Sequence, residues 1–153
     1  DGLVDISAST GGQVKFPAAQ NASSDVNTLD DYEEGTWVPA VGGDATYTTQ
    51  GGIYTKIGNK VTVQCLLTIN VLGTGSTSVI SGLPFTIRSG NNQAGCVAAW
   101  AALAVTPVFV SVVGVQNSTT VTITGITAAG AATGTLAALQ NAASITFSLT
   151  YFL

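Results

Sequence analysis

The sequence predicts an all-β chain folded as an antiparallel β-sandwich of jelly-roll type. Several segments alternate apolar and polar residues with a period of two, and turn signals separate them. Charged residues make up 8% of the 153 residues, against about 25% in an average domain, while Gly, Ala, Ser, Thr and Val are abundant. A chain of this length is expected to form one domain around one core.

The clearest strand pattern covers residues 60–71. Its predicted inward face consists of Val61, Val63, Cys65, Leu67, Ile69 and Val71. A second segment alternates Val121 and Ile123 with threonines. The C-terminal segment repeats the pattern with Ile145, Phe147, Leu149, Tyr151 and Leu153. We expect roughly seven to ten short strands, as in sandwich folds.

Clusters of glycine, asparagine and serine predict the turns between strands. They occur at Gly42-Gly43, Gly51-Gly52, Gly58-Asn59, residues 73–76, residues 89–92 and Asn117-Ser118. Gly58-Asn59 fits a tight hairpin that joins residues 53–57 to the strand after it.

Residues 89–153 contain no Asp, Glu, Lys, Arg or His. A soluble domain ordinarily carries charged surface, so this part of the chain should be covered by something other than water. Its polar strand faces carry Thr, Ser, Asn and Gln, which can be buried against a neighbouring subunit when they find hydrogen-bond partners. Symmetric self-association is the predicted cover, with an interface on the order of 2,000 Å² or more.

A membrane span is the competing interpretation of residues 97–115, which are almost wholly apolar. Pro107 lies centrally in the segment, no Lys or Arg follows it, and residues 108–113 are β-branched and typical of a strand. We therefore favour a pair of strands, buried on both faces, that turns near Thr106-Pro107. No membrane insertion is expected.

The charges exclude several classes of function. The net charge is −4, and the four cations Lys15, Lys56, Lys60 and Arg88 are scattered, so a nucleic-acid interface is not expected. The chain has no histidine, which removes the usual Ser-His, Cys-His and His-metal sites. We predict no enzyme activity and no cofactor. Because the chain starts at Asp1 without Met, we expect a fragment or processed product, and no signal peptide is visible.

An acidic cluster comprises Asp30, Asp31, Glu33 and Glu34. Paired carboxylates can cleave glycosides, but they must flank a sugar at a fixed separation, and nothing in the pattern supplies a groove. The spacing also lacks the alternating ligands of a calcium loop. We expect a charged collar at a junction, with Tyr32 and Trp37 packing inward, and neither a catalytic nor a metal site.

The chain has two cysteines. Cys65 lies on the apolar face of the long strand and Cys96 is next to Val97, so both are predicted to be buried, unreactive thiols. The pattern leaves their disulfide state open.

The first residues differ in character from the rest. Residues 1–28 combine short β-like pieces with polar linker sequence and contain too few apolar residues for a core. We interpret them as the end of a stalk and a linker, and residues 29–153 as a C-terminal β-sandwich head.

Four motifs carry a resemblance to a known family. They are Lys15-Phe16-Pro17-Ala18, the string Asn-Thr-Leu-Asp-Asp-Tyr-Glu-Glu-Gly-Thr-Trp-Val-Pro at residues 27–39, Tyr54-Thr55-Lys56-Ile57-Gly58, and Gly82-Leu83-Pro84-Phe85. In order and spacing they resemble the C-terminal domain of bacteriophage tail fibre and tailspike proteins, from Gly11 to about Phe85. The resemblance implies a homotrimeric β-rich tip after a fibrous stem, which serves host-surface recognition, trimer registration or both.

Sugar recognition usually pairs an exposed aromatic ring with amide and hydroxyl groups. Candidates of these types are Trp100, Tyr47, Tyr54, Asn91, Asn92 and Gln93. Each is more often a core residue than a contact, and for Trp100, inside an apolar run, we favour packing. The small-residue loop at residues 128–135 is an alternative tip surface.

Two functions stand beside the excluded enzyme. The first is a receptor-binding tip of the virion, assembled in the host cytoplasm, whose partners are further copies of the chain, other tail proteins and a host-surface glycan or protein. The second is a trimerisation cap that binds no receptor. A capsid or decoration protein with a jelly-roll fold would have a similar pattern.

Overall fold

The computed structural model describes residues 11, 14–16, 24–25, 27–29, 31–90 and 93–153. The strands are β1 (Tyr32–Trp37), β2 (Thr46–Ile57), β3 (Lys60–Val71), β4 (Val79–Ser81), β5 (Gln93–Ala101), β6 (Phe109–Gly114), β7 (Thr120–Ile126), β8 (Gly134–Thr135) and β9 (Ser144–Phe152). The described residues contain no helix, and the strand pairs are antiparallel. The predicted all-β antiparallel class is confirmed.

The strands form one curled sheet in the order β1-β2-β3-β9-β5-β6-β7-β4, with β8 paired to β7. Ala40, shortly after β1, exchanges backbone hydrogen bonds of 3.0 and 2.7 Å with Ser81 at the end of β4. This bridge joins the two ends of the path, so the curled sheet closes on itself. The two faces of the predicted sandwich therefore belong to one continuous sheet that encloses the core.

The central strands follow the predicted pattern. Gly58 has a positive φ of 56°, which suits the first turn position of the β2–β3 hairpin. The alternate side chains of β3 from Val61 to Ile69 are at most 2% exposed, and β9 covers this strand from Lys60 to Thr68. Val71 was also predicted to face inward, but it is 46% exposed because it lies beyond the end of β9.

The apolar segment at residues 97–115 forms parts of β5 and β6, joined by residues 102–108. Within the part of the chain that the structure describes, no helix is long and apolar enough to cross a membrane. The predicted two-sided burial is wrong for β5, because Ala94, Cys96 and Ala98 are exposed on its outward face.

The acidic cluster lies where the chain enters β1. Asp31 forms a buried ion pair with Lys56, and these residues are 5% and 4% exposed. Glu33 and Glu34 are exposed. Trp37 is buried as predicted, whereas Tyr32, predicted to pack inward, is 41% exposed and donates a hydrogen bond to Glu34. Asp30 and most of the predicted stalk, residues 1–28, lie outside the described residues.

The register defines two ends of the sheet. Tyr32, Ile57, Lys60 and Phe152 are paired in one row, which we call the entry end because the chain enters β1 there. Thr68, Ser144 and Ala101 form a row at the opposite end, which we call the far end. The loop at residues 102–108 starts from the far end.

Tyr151 places a phenol in the core. Burial raises its pKa to about 12, with Tyr54 reinforcing the rise and the nearby Phe85 backbone opposing it. Its hydroxyl makes no hydrogen bond of acceptable geometry in the described structure. Because a phenol is easier to ionise in the unfolded chain, the stabilising effect of the raised pKa is complete below about pH 10 and is lost as pH rises to about 12.

We therefore expect Tyr151→Phe to leave the free energy of unfolding at pH 7 unchanged or higher, and to reduce its decline between about pH 10 and 12. Urea unfolding at a series of pH values measures both effects. Tyr47→Phe is the control, because the Tyr47 hydroxyl accepts a 2.8 Å hydrogen bond from the Val41 amide. Loss of this hydrogen bond should lower the free energy of unfolding by about 1 kcal/mol. An equal loss of stability at pH 7 in Tyr151→Phe would contradict the conclusion that the Tyr151 hydroxyl makes no stabilising hydrogen bond.

Candidate functional site

Two of the predicted ligand residues are engaged inside the fold. The hydroxyl of Tyr47 bonds the Val41 amide, as described above, and its ring packs against the core. Tyr54 packs edge-on against Phe85 with a ring separation of 5.4 Å and donates a hydrogen bond to Glu33. That hydrogen bond, burial and the Glu33 charge raise the pKa of Tyr54 to about 12. Both tyrosines therefore have structural partners.

Gln93 is also used within the chain. It is buried at the entry end, and its side-chain oxygen accepts a 2.7 Å hydrogen bond from the Phe152 amide. Asn91 and Asn92 lie outside the described residues. Gln93 and Trp100 occupy opposite ends of β5, so the predicted ligand residues do not form one cluster.

Trp100 is 42% exposed, so the expected packing in the core is wrong. A register shift between Val97 and Ala99 interrupts the β5–β9 pairing just before it. Trp100 then pairs with Ile145 close to the far end. The loop at residues 128–135 is exposed throughout and follows β7, which also ends at the far end, where Ile126 pairs with Phe109. The far end therefore combines an exposed indole with uncharged loops.

The two cysteines lie on opposite faces of the sheet. Cys65 pairs with Phe147 on the inward face, and burial raises its pKa to about 12. Cys96 pairs with Ser148 on the outward face and is exposed, which corrects the prediction that it is buried. Both thiols are free, and their placement on opposite faces prevents a disulfide between them.

A groove of about 570 Å³ opens on the outward face of β1, β2 and β3. Its lining includes Val38, Gln50, Gly51, Ile53, Gln64 and Leu66. Three of these are exposed apolar side chains, since Val38, Ile53 and Leu66 are 63%, 55% and 47% exposed. No lining residue carries an ionisable carboxylate or amine. The groove can offer amide and hydroxyl hydrogen bonds and apolar contact, but no acid–base pair.

Two adjacent glycines of β2 belong to the lining of this groove. The Trp37 indole packs over Gly52, where a Cβ would come within 2.2 Å of its Nε1, and it donates a 3.1 Å hydrogen bond to the Gln64 carbonyl. Gly51 has open space around it. The sequence predicted a turn at these glycines, but they lie in the middle of β2. The glycine pair was the signal for the groove, and it was misinterpreted as a break in the strand.

From the row of Ile53 to the far end, the strands carry no charged side chain on the outward face, whereas Glu34 and Lys60 lie on that face nearer the entry end. One row runs through six strands and consists of Ile53, Gln64, Ser148, Cys96, Ser111 and Thr124. In the described structure no three His, Cys, Asp or Glu side chains come together as metal ligands would. Comparisons with family models, curated proteins and solved structures found no match to this chain.

Proposed function

We propose that this chain is the tip domain of a bacteriophage tail fibre or tailspike, which assembles as a homotrimer and recognises a receptor, in particular a glycan, on the host surface. The observation that carries the proposal is the part of the outward face from the Ile53 row to the far end, whose strands have no charged side chain there and which is partly exposed in the single chain. The tail fibre resemblance of residues 11–85 supplies the biological setting.

Energetics favours covering this face with further copies of the chain. Ser, Thr and Gln lose little when they are buried with hydrogen-bond partners, whereas a buried charge would cost several kcal/mol. Covering apolar side chains such as Ile53 and Leu66 contributes roughly 25 cal/mol per Å². A ring of three copies uses heterologous contacts and leaves both ends of the sheet accessible.

Most of the described charged side chains support one direction for the fibre, although Asp44 is exposed near the far end, where it accepts hydrogen bonds from Thr74. Glu33, Lys60 and Arg88 lie at or near the entry end, where Arg88 bonds the Phe152 backbone. This is the end at which the stalk would join. Trp100 and the uncharged loops at the far end would then face the host, and three copies of a weak site would raise the effective affinity.

A receptor role predicts that purified chain competes with virions for host cells, and that Trp100→Ala weakens this competition at least tenfold, because exposed aromatic anchors dominate many interfaces. Phe152→Ala is the control, since Phe152 is 40% exposed but lies at the entry end. Cell-binding assays with labelled chain measure both. Equal binding by Trp100→Ala and the unchanged chain would remove Trp100 from the site.

The trimerisation cap is the second candidate, favoured by the engagement of Tyr47, Tyr54 and Gln93 inside the fold. Deleting residues 36–153 from the full fibre separates the two functions when assembly and adsorption are assayed independently. Assembled fibres that do not adsorb would favour the receptor role. Failed assembly, with no competition by the purified chain, would favour the cap.

A further inference from the structure

We propose that the groove on the outward face of β1, β2 and β3 is the binding site for a neighbouring copy of this chain. That copy inserts Val108, which immediately precedes β6, and Phe109, the first residue of β6. This inference rests on the self-association proposed above and assigns its contact surfaces.

Gly51 lies in the interior of β2, on the lining of the groove. Glycine in a strand interior costs roughly 0.5–1 kcal/mol relative to alanine, and it often marks a place where another backbone or ligand approaches closely. A Cβ at Gly51 would meet no atom within 4 Å, and its φ is not positive. Nothing in its own chain therefore requires glycine there. Close approach of a group from another molecule explains why glycine is at this position.

The lining of the groove is largely apolar and uncharged. Its exposed walls include Val38, Ile53 and Leu66, and its ionisable side chains are limited to the buried Cys65 thiol. An apolar occupant without charges fits such a lining. Within the described part of residues 89–153, the most exposed large apolar side chains are Val108 and Phe109, at 60% and 51%. They are adjacent and lie in the segment that has no charged residue.

A sugar fits this groove less well. Sugar sites present the open face of an aromatic ring, but the aromatic side chain in the lining, Trp37, is 5% exposed and its indole N–H already bonds Gln64. The Gln50 side-chain amide donates a 2.9 Å hydrogen bond to the Pro39 carbonyl. The groove is therefore better suited to apolar side chains than to a polyhydroxyl ligand.

The strand register relates the position of the groove to that of Val108 and Phe109. Gln64 and Ser111 share one row across the sheet, and Leu66 and Phe109 lie two residues beyond it in the direction of the far end. Counted along the strands, the groove and the apolar pair thus lie at about the same distance from the entry-end row. Rotation about a fibre axis that follows the strand direction keeps that distance. β6 is separated from β3 by β9 and β5, so the two surfaces are distinct, as a cyclic trimer requires.

Sedimentation velocity of four versions of this 153-residue chain tests the proposal. They are the unchanged chain, Gly51→Thr, Phe109→Ser and Gly134→Thr. Gly134 is the control, because it is an exposed strand glycine with open space around it and no positive φ. We expect trimers from the unchanged chain and Gly134→Thr. Gly51→Thr and Phe109→Ser should need at least tenfold higher concentration to assemble.

Circular dichroism of diluted samples separates docking from folding. Threonine has a higher strand propensity than glycine, so Gly51→Thr should keep its β-sheet spectrum and its thermal midpoint. Loss of that spectrum would show that the fold itself requires Gly51 and would overturn the inference.

The other possible results of these experiments also test the inference. A monomeric unchanged chain would overturn the self-association and this inference together. A trimeric unchanged chain with an equally stable Gly51→Thr trimer would overturn the inference alone. A Gly51→Thr trimer that no longer adsorbs to host cells would assign the groove to the receptor. If Gly51→Thr dissociates but Phe109→Ser assembles normally, the assignment to Val108 and Phe109 fails.

Discussion

Phe147→Asp is expected to unfold the chain. Phe147 is 1% exposed, pairs with Cys65 and Val97 in the neighbouring strands, and lies 6.4 Å from the Trp37 ring between centroids. Losing a buried phenylalanine ring costs about 3–5 kcal/mol, and an unpaired buried carboxylate adds several more. The sum is comparable to the whole stability of a domain, about 5–15 kcal/mol. Near-ultraviolet circular dichroism and urea titration at pH 7 measure the loss.

Thr150→Asp is the matched control on the same strand. Thr150 is exposed on the outward face, where its hydroxyl lies 3.0 Å from that of Thr62. In the single chain a carboxylate there remains hydrated, so at concentrations at which the chain is monomeric we expect a loss below about 1 kcal/mol, as for ordinary surface substitutions. A folded Phe147→Asp together with an unfolded Thr150→Asp would mean that the inward and outward faces of β9 are reversed.

Asp31→Asn is expected to destabilise the chain by about 3 kcal/mol, because it leaves the buried Lys56 ammonium without that carboxylate. Breaking a buried ion pair usually costs about 3–5 kcal/mol. We expect the lower value because Glu33 is paired with Lys56 in the β1–β2 register. The Phe85 ring, 5.5 Å from the ammonium, also remains. Urea unfolding at neutral pH gives the difference.

A double variant, Asp31→Leu with Lys56→Met, separates the cost of a broken pair from the value of the intact one. Replacing both buried charges with apolar residues of similar size is often neutral or stabilising. We therefore expect the double variant to unfold at a higher urea concentration than Asp31→Asn. If the two variants are equally unstable, packing around this pair, and not its charge, determines the cost.

The strands with regular alternation could be predicted from the sequence. β3 and β9 bury every second side chain, and these buried side chains contribute to the same core, so the period determines both the strand and its inward face. Gly58-Asn59 likewise encodes its hairpin locally, because glycine accepts the positive φ at no steric cost.

β2 could not be predicted by the same means. Its sequence between Thr46 and Gly52 has no apolar alternation, and this part is a strand because it pairs with β3, while β1 pairs with β2 from Gly52 onward. Tertiary pairing therefore overrides the local preference of Gly51-Gly52 for a turn. The groove depends on this pairing, and its one local signal, the glycine pair, predicted a turn instead.

Two errors in β5 have a related cause. Cys96 precedes the inward-facing Val97, so strand alternation places it outward, although its apolar neighbours indicated burial. For Trp100, the register shift after Val97 places the indole near the far end of the sheet. Bulges depend on the partner strand and leave little trace in a run of alanines.

Copies of this chain are expected to cover the uncharged part of its outward face. Sedimentation equilibrium of the unchanged chain at neutral pH, over a hundredfold range of concentration without detergent, tests it most directly. We predict a single species with three times the mass of one chain. A well-folded species with the mass of one chain throughout that range would contradict the account.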